Sequence, residues 1–592
     1  MSVSLNLKDY TDRWIYLDQY DCFFLGRVPY CSVQEVPAEQ CMNLFVPAVY
    51  MDGSGSVKAE AEYRGYTAAT VPVIFENGLA GYKEAEPFEI GDDRSAAKDF
   101  LAAGFVYVSC GCRGRSSVNA EGQRCGKAPL SLVDLKAGIR FLRANAGVIP
   151  GDMERIISVG ISAGGAMSTL LGCTGNSENY REELERIGAV MDQRDDVFAA
   201  QCYCPIIDLD HADFAYEWMF EGRTHYDGMP FVGFSEGELT PFARALSDRM
   251  GQLYMDYFNG MGLKHPATGE PLLLGTGRGG SAAAFLKEKL EESAAKYLGK
   301  LEQGGIPCLR RMDAETRADC DKQAAETEGI ACCSAGRTDA RDCDKLTVKT
   351  DGIAGCGVDK TNAKDCDKQP VEPGNLVCSN AGRVSAADYI SGRYLAPKFD
   401  FATKAAVYVP GIDKSAWLSW DGRRAAITSI DDMQETYHTR LKLCPAFDDL
   451  DLIQAENQEF GTAREDVVHF NPQLAGVMET LCTQFPDETE KYLSGYQKVA
   501  GDTELAQRRY LLNPMNYIGT EEQADLAPHY RIRVGSRDAD TSLTITMTLA
   551  LRLMETGRTD VDYEIVWDEP HGRADYPGEV TAWVDRICRK AE

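Results

Sequence analysis

Short apolar runs alternate with helical stripes through the first two hundred residues, the pattern of a mostly parallel sheet with connecting helices on both faces. Val71-Pro-Val-Ile-Phe75 and Phe105-Val-Tyr-Val-Ser109 are brief and rich in β-branched or aromatic side chains, so they predict buried strands. Between Leu132 and Asn145, Leu132, Leu135, Ile139 and Leu142 recur at helical spacing and predict one apolar face. Arg155–Gly160 then predicts a strand, Ala163–Leu171 a helix built from small residues, and Val197–Ile207 a further strand.

After Ile207 this alternation is lost for nearly three hundred residues. It returns with a strand at His529–Gly535, a helix over Leu543–Glu555 and a strand at Val561–Trp567. The expected organisation is a catalytic core formed by residues 1–207 and 500–592, interrupted by an inserted lid or cap lobe over 208–499. Within that lobe Asp-Cys-Asp-Lys recurs at Asp319, Asp342 and Asp365, and eight cysteines fall between Cys308 and Cys378. The window has no CxxC pair, calcium-loop spacing or histidine, so the segment at about 305–385 is expected to be a flexible surface insert that holds no metal.

At 592 residues and 44% hydrophobic composition, the chain can bury a large core and still carry such an insertion. A net charge of -29 argues against nucleic acid or an anionic membrane as a partner, because both would be repelled. The amino-terminal stretch lacks a basic start followed by an apolar run, and no long apolar segment occurs elsewhere. A cytoplasmic protein with reduced thiols is therefore expected despite its 20 cysteines.

The chemistry centres on Gly160-Ile-Ser162-Ala-Gly164, which lies between a predicted strand and a predicted helix. In that setting a Gly-x-Ser-x-Gly run makes a sharp turn that lifts the serine hydroxyl out of the sheet and aims the first helical N–H groups at a developing oxyanion. An α/β-hydrolase fold is the expected frame. A serine hydroxyl needs a base, and chain order in this fold is serine, acid, histidine. His571, in a turn just beyond the last predicted strand, is the candidate base. His211, His225, His265, His438, His469 and His529 are read as structural or surface residues.

Two acids, Asp538 and Asp540, directly follow the strand ending at Gly535. Either one could orient the histidine while the other caps the next helix. Phe75-Glu-Asn-Gly78-Leu-Ala-Gly81 follows an early strand, where a second oxyanion donor belongs, although it lacks the His-Gly-Gly-Gly form of that loop.

With Gly-Ile-Ser-Ala-Gly-Gly-Ala-Met-Ser around Ser162, Gly-Ser-Arg-Asp-Ala-Asp-Thr-Ser around Asp538 and the late His571, the chain resembles the subtype B bacterial tannases, which hydrolyse gallate esters. The resemblance covers the two core segments and the end of the insertion, but not the cysteine-rich repeat. It implies a triad of Ser162, Asp538 and His571, with oxyanion donors at the backbone N–H groups of Gly78 and Ala163. It further implies that Lys442, Glu456 fourteen residues later, and Asp540 grip the galloyl hydroxyls. A small phenolic ester is the implied substrate, with neither cofactor nor metal. Other expectations compatible with the residues are a feruloyl esterase, a general carboxylesterase, or a non-catalytic binding protein on the same fold.

Overall fold

The computed structural model describes residues 3–92, 94–230, 232–304, 310–311, 383–400, 405–520 and 524–590. The repeated Asp-Cys-Asp-Lys segment lies outside the described residues. Dense internal contacts divide the chain into two compact units, Met1–Ser293 with Ser429–Glu592, and Ala294–Thr428.

The first unit is built on a nine-stranded sheet. Its strands are β1 (Ile15–Leu17), β2 (Cys22–Pro29), β3 (Cys41–Pro47), β4 (Pro72–Asn77), β5 (Val106–Cys110), β6 (Asp152–Ile161), β7 (Ala199–Tyr203), β8 (His529–Gly535) and β9 (Asp560–Val566). Their spatial order is β1-β2-β3-β5-β4-β6-β7-β8-β9. The pairs from β1 to β5 are antiparallel and all the later ones are parallel. This is the α/β-hydrolase fold expected from the sequence, with an antiparallel edge the alternation did not reveal. Strand β3 is buried at all seven positions, so it lacks the polar–apolar alternation that marks a half-exposed strand.

The helices that frame the site are α1 (Leu130–Ala144), α2 (Ala163–Cys173), α3 (Ala455–Glu459) and α4 (Leu543–Glu555). The apolar stripe of α1 is buried as expected, but its polar face is buried too, from Ser131 through Arg143. Ion pairs explain how that is tolerated. Asp134 meets Arg113 at 2.8 Å, and Asp195 receives both Lys136 at 2.8 Å and Arg140 at 2.5 Å. Buried charges are expensive unless matched, and here each carboxylate is matched.

The second unit contains the hairpin of Tyr394–Asp400 with Ala405–Pro410, joined at its edge by Arg310–Arg311. Among the described residues, no helix is long and apolar enough to cross a membrane.

Candidate active site

The Ser162 turn follows from close packing at its glycines. A Cβ on Gly160 would meet the Gly164 carbonyl oxygen at 2.1 Å, and one on Gly164 would meet the Asn77 side chain at 2.6 Å. With those contacts made, β6 runs straight into α2, and Ser162 adopts φ 60 and ψ -122, a conformation that costs on the order of 1–3 kcal/mol for a residue with a side chain. Neighbouring backbone holds it there. Ser162 N–H donates to the Tyr203 carbonyl at 3.0 Å, and the Ser162 carbonyl accepts from Ala166 N–H at 2.9 Å. Asn77, at the end of β4, donates to the carbonyls of Val159 and Gly164 from beneath.

His571 reaches this serine from the loop after β9. Its Nε2 lies 2.8 Å from Ser162 Oγ, and its Nδ1 lies 2.9 Å from Asp538 Oδ2. The other oxygen of Asp538 accepts from the backbone N–H of Asp540 at 3.0 Å and of Thr541 at 3.4 Å. Asp538 is fully buried while His571 keeps 20% side-chain exposure, so the imidazole faces the opening and the acid stands behind it. Burial alone would depress the imidazole. Asp538, with Asp540 adding to its effect, outweighs that and holds His571 well above 6.5. A carboxylate, imidazole and hydroxyl connected in this order can draw a proton from the hydroxyl and stabilise the imidazolium that results.

Neighbouring loops lock the two partners of Ser162. His438, buried and kept neutral by that burial, donates from Nε2 to the Asp538 carbonyl at 2.7 Å. Arg573, two residues past His571, donates to Glu76 at 2.6 Å. Asp575 in turn accepts from Tyr203 at 2.7 Å and from Arg531 at 2.7 and 3.0 Å. Strands β4, β7 and β8 thereby anchor the loop.

The two residues expected as oxyanion donors each lie within two positions of a strand end. Ala163 is the first residue of α2, so its N–H has no carbonyl one turn back to bond. Gly78 immediately follows β4, and a Cβ there would strike the Phe88 ring at 2.8 Å. The 78–81 loop is also tied to α3. Arg115 donates to the Gly81 carbonyl at 2.7 Å and also reaches Gln458.

Lys442, Glu456 and Asp540 gather beside this group. Lys442 Nζ stands 3.4 Å from Asp540 Oδ1 and 4.2 Å from the centre of the Phe447 ring. Burial opposes the Asp540 anion, but His571 and Lys442 together hold its carboxyl below the usual range. Glu456 is raised by burial, with the Lys442 charge only partly opposing it. The three side chains thus share one electrostatic environment, which reaches His571 through Asp540. They offer acceptors on two carboxylates and a donor on the ammonium to a ligand carrying hydroxyls.

The remaining histidines lie elsewhere. His211 pairs with Asp208, His469 with Asp448, and His529 with Asp560. Sequence reasoning singled out neither Cys204 nor Glu459, and it read His438 as a structural or surface residue without placing it against Asp538. Cys204 Sγ lies 3.8 Å from His571 Nε2, and burial pushes Glu459, whose carboxylate oxygens find no hydrogen-bond partner, up to about 8 against Lys127 and Arg115. A Glu456-x-x-Glu459 spacing on a helix was a usable signal for that second glutamate.

Comparison with known proteins adds the family context. The family model described as BD-FAE matches residues 67–212, which include the serine turn. No curated protein matches by sequence. Among solved structures, tannin acyl hydrolase from Lactobacillus plantarum superposes with a TM-score of 0.67 at 26% identity, covering 96% of this chain and 94% of that one. Fusobacterium nucleatum tannase gives 0.67 at 26% identity, over 96% and 95% of the two chains. A tannin acyl hydrolase in complex with ethyl gallate gives 0.66 at 26% identity, over 96% and 94%. With its sheet order and its serine turn set alongside this likeness along nearly the whole length, the chain is a tannase-like α/β-hydrolase, in the enzyme class of the carboxylic ester hydrolases.

Proposed function

We propose that this protein is a serine esterase that cleaves galloyl ester bonds, in hydrolysable tannins or alkyl gallates, through an acyl-enzyme on Ser162. The observation that carries the reading is the hydrogen-bonded chain Ser162–His571–Asp538 with Lys442, Asp540 and Glu456 alongside it. Its structural relatives include one bound to ethyl gallate and one bound to 3,4-dihydroxybenzoate, both phenolic acyl groups.

In this mechanism Ser162 Oγ attacks the ester carbonyl while His571 Nε2 accepts its proton, and the oxyanion is received by the N–H groups of Gly78 and Ala163. The imidazolium then gives its proton to the departing alcohol. Water, activated by the freed imidazole, attacks the acyl-enzyme and releases the acid. Adjacent phenolic hydroxyls donate to Glu456 and Asp540 and accept from Lys442. A pocket that leaves such buried polar groups unpaired rejects rings without hydroxyls far more strongly than an apolar pocket can.

The test compares methyl gallate, methyl ferulate and a short nitrophenyl ester as substrates. The reading expects kcat/KM for methyl gallate to exceed that for methyl ferulate by at least about 100-fold, the cost of stranding two or more polar groups. Equal rates on the two methyl esters would remove the galloyl assignment and leave a general esterase. Ser162→Ala is expected to abolish both turnover and fluorophosphonate labelling. Labelling that survives in this variant would discard the serine mechanism.

A further inference from the structure

We propose that Cys204, His571 and Ser162 form an inhibitory site for a thiophilic divalent cation of the zinc or cadmium type, which binds across the base and switches the esterase off. The inference rests on the reading of His571 as the base, but the metal site itself stands on geometry. Cys204 Sγ and His571 Nε2 are 3.8 Å apart, and Ser162 Oγ is 2.8 Å from the same nitrogen. A tetrahedral ion with bonds of about 2.3 Å to sulfur and about 2.1 Å to nitrogen separates those two donor atoms by about 3.6 Å. The resting positions of the two side chains therefore need to move only by a few tenths of an ångström.

The surroundings suit a metal as well as they suit a proton. Asp538 holds the far nitrogen of the imidazole at 2.9 Å, which is the carboxylate–histidine arrangement that orients and strengthens a metal-binding imidazole. Cys204, Asp538 and His571 place one donor atom each within 4.8 Å of one another. The thiol is fixed rather than floppy. Cys204 follows β7 directly, its N–H donates to the Arg533 carbonyl at 2.7 Å, and its Sγ–H donates to the Gly572 carbonyl at 3.3 Å.

Access is through the face the substrate uses, because Ser162 is partly exposed and His571 keeps 20% of its side-chain surface. Binding releases the Cys204 thiol proton, and any proton on His571 Nε2, to solvent; the bound cation then occupies the nitrogen lone pair that must accept the serine proton, so it competes directly with catalysis. Sulfur, imidazole and one hydroxyl favour soft or borderline ions. Magnesium and calcium, which demand several hard oxygen ligands, find too few of them among these three groups.

The experiment measures esterase activity in the full chain against added zinc or cadmium chloride, with magnesium and calcium chloride in parallel arms and each variant scaled to its own metal-free rate. Zinc and cadmium are expected to inhibit the wild type and slow fluorophosphonate labelling of Ser162, with both effects reversed by a chelator. Magnesium and calcium should do neither. Cys204→Ala and Cys204→Ser are expected to raise the half-inhibiting concentration at least about tenfold. Cys482→Ser, which alters an exposed thiol, keeps the wild-type value. Equal half-inhibiting concentrations in the wild type and both Cys204 variants would overturn the proposal, as would inhibition by magnesium matching that by zinc. Calorimetric titration with cadmium separates this proposal from the esterase reading. Loss of one equivalent of bound cadmium in folded Cys204→Ala supports the site even in a protein without turnover, and unchanged stoichiometry refutes it.

Discussion

Asp538 and Asp540 lie two positions apart in the chain yet have different electrostatic tasks. Asp538 touches the imidazole and is sealed from solvent, whereas Asp540 pairs with Lys442 and acts on His571 from a distance. Asp538→Asn is therefore expected to lower kcat by about 10⁴-fold at unchanged fold, because the amide no longer holds the imidazole in the productive tautomer. Asp540→Asn has a different signature. His571 must be neutral to accept the serine proton, and its elevated pKa means that kcat/KM rises with pH through a limb lying above 6.5. Removing the Asp540 anion removes one of the charges that stabilise the imidazolium, so that limb moves to lower pH while KM for methyl gallate rises. A pH profile of kcat/KM reads both effects, and a limb unmoved in Asp540→Asn would contradict the coupling. The sequence supplied both acids at the right place but could not separate their roles. Separation depends on which carboxylate reaches a histidine more than thirty residues later, and only family likeness anticipated the answer. Cys204 and His438 were invisible for the same reason, as each meets the site through a fold contact and has no distinguishing local pattern.

At the scale of elements, the loop 571–575 converts a flexible connection into a rigid support. Arg573 inserts between Glu76 at the end of β4 and the Tyr203 ring on β7, while Asp575 takes both the Tyr203 hydroxyl and the Arg531 guanidinium. Arg573→Ala leaves the Glu76 carboxylate without its cation, and is expected to cost about 1–3 kcal/mol of stability in denaturant titration. The same change should lower kcat by about 10- to 100-fold while KM stays within about twofold, because it displaces the base without touching the acyl pocket. Arg573→Lys should recover part of the loss, and a KM effect as large as the kcat effect would count against the positioning role. The parallel strands and α4 were legible, with His529–Gly535 and Leu543–Glu555 found at their expected bounds. Short apolar runs and helical stripes survive in sequence wherever one face meets water or a strand lies wholly in the core. The antiparallel edge was not legible, since buried Asn43 breaks the apolar run of β3 and β2 carries a register shift between Leu25 and Val28.

Across the whole molecule, the loss of β/α alternation after Ile207 and its return at His529 marked the two halves of one sheet, which β7 and β8 join by direct pairing. What the pattern could not show is which intervening segments carry the residues proposed for the acyl pocket. Lys442, Glu456 and His438 belong to the same compact unit as Ser162, Asp538 and His571, whereas the Asp-Cys-Asp-Lys repeats fall between the described parts of the other unit's sequence. Gly304 lies against the Arg383 side chain and Arg310–Arg311 pairs with Tyr394–Leu395, so the chain on either side of that segment is held together by contacts outside it. Replacing residues 312–382 with a short Gly/Ser linker is therefore expected to leave kcat/KM on methyl gallate within about twofold, because lengthening or shortening a connection changes closure entropy only slowly. The thermal midpoint should shift by no more than a few degrees for the same reason. A loss of more than about tenfold in kcat/KM, with the fold intact by circular dichroism, would mean that the acyl pocket draws on the replaced segment. The shortened chain also removes seven cysteines, so its cadmium titration reads the equivalent assigned to Cys204 against a smaller background of thiols unrelated to catalysis.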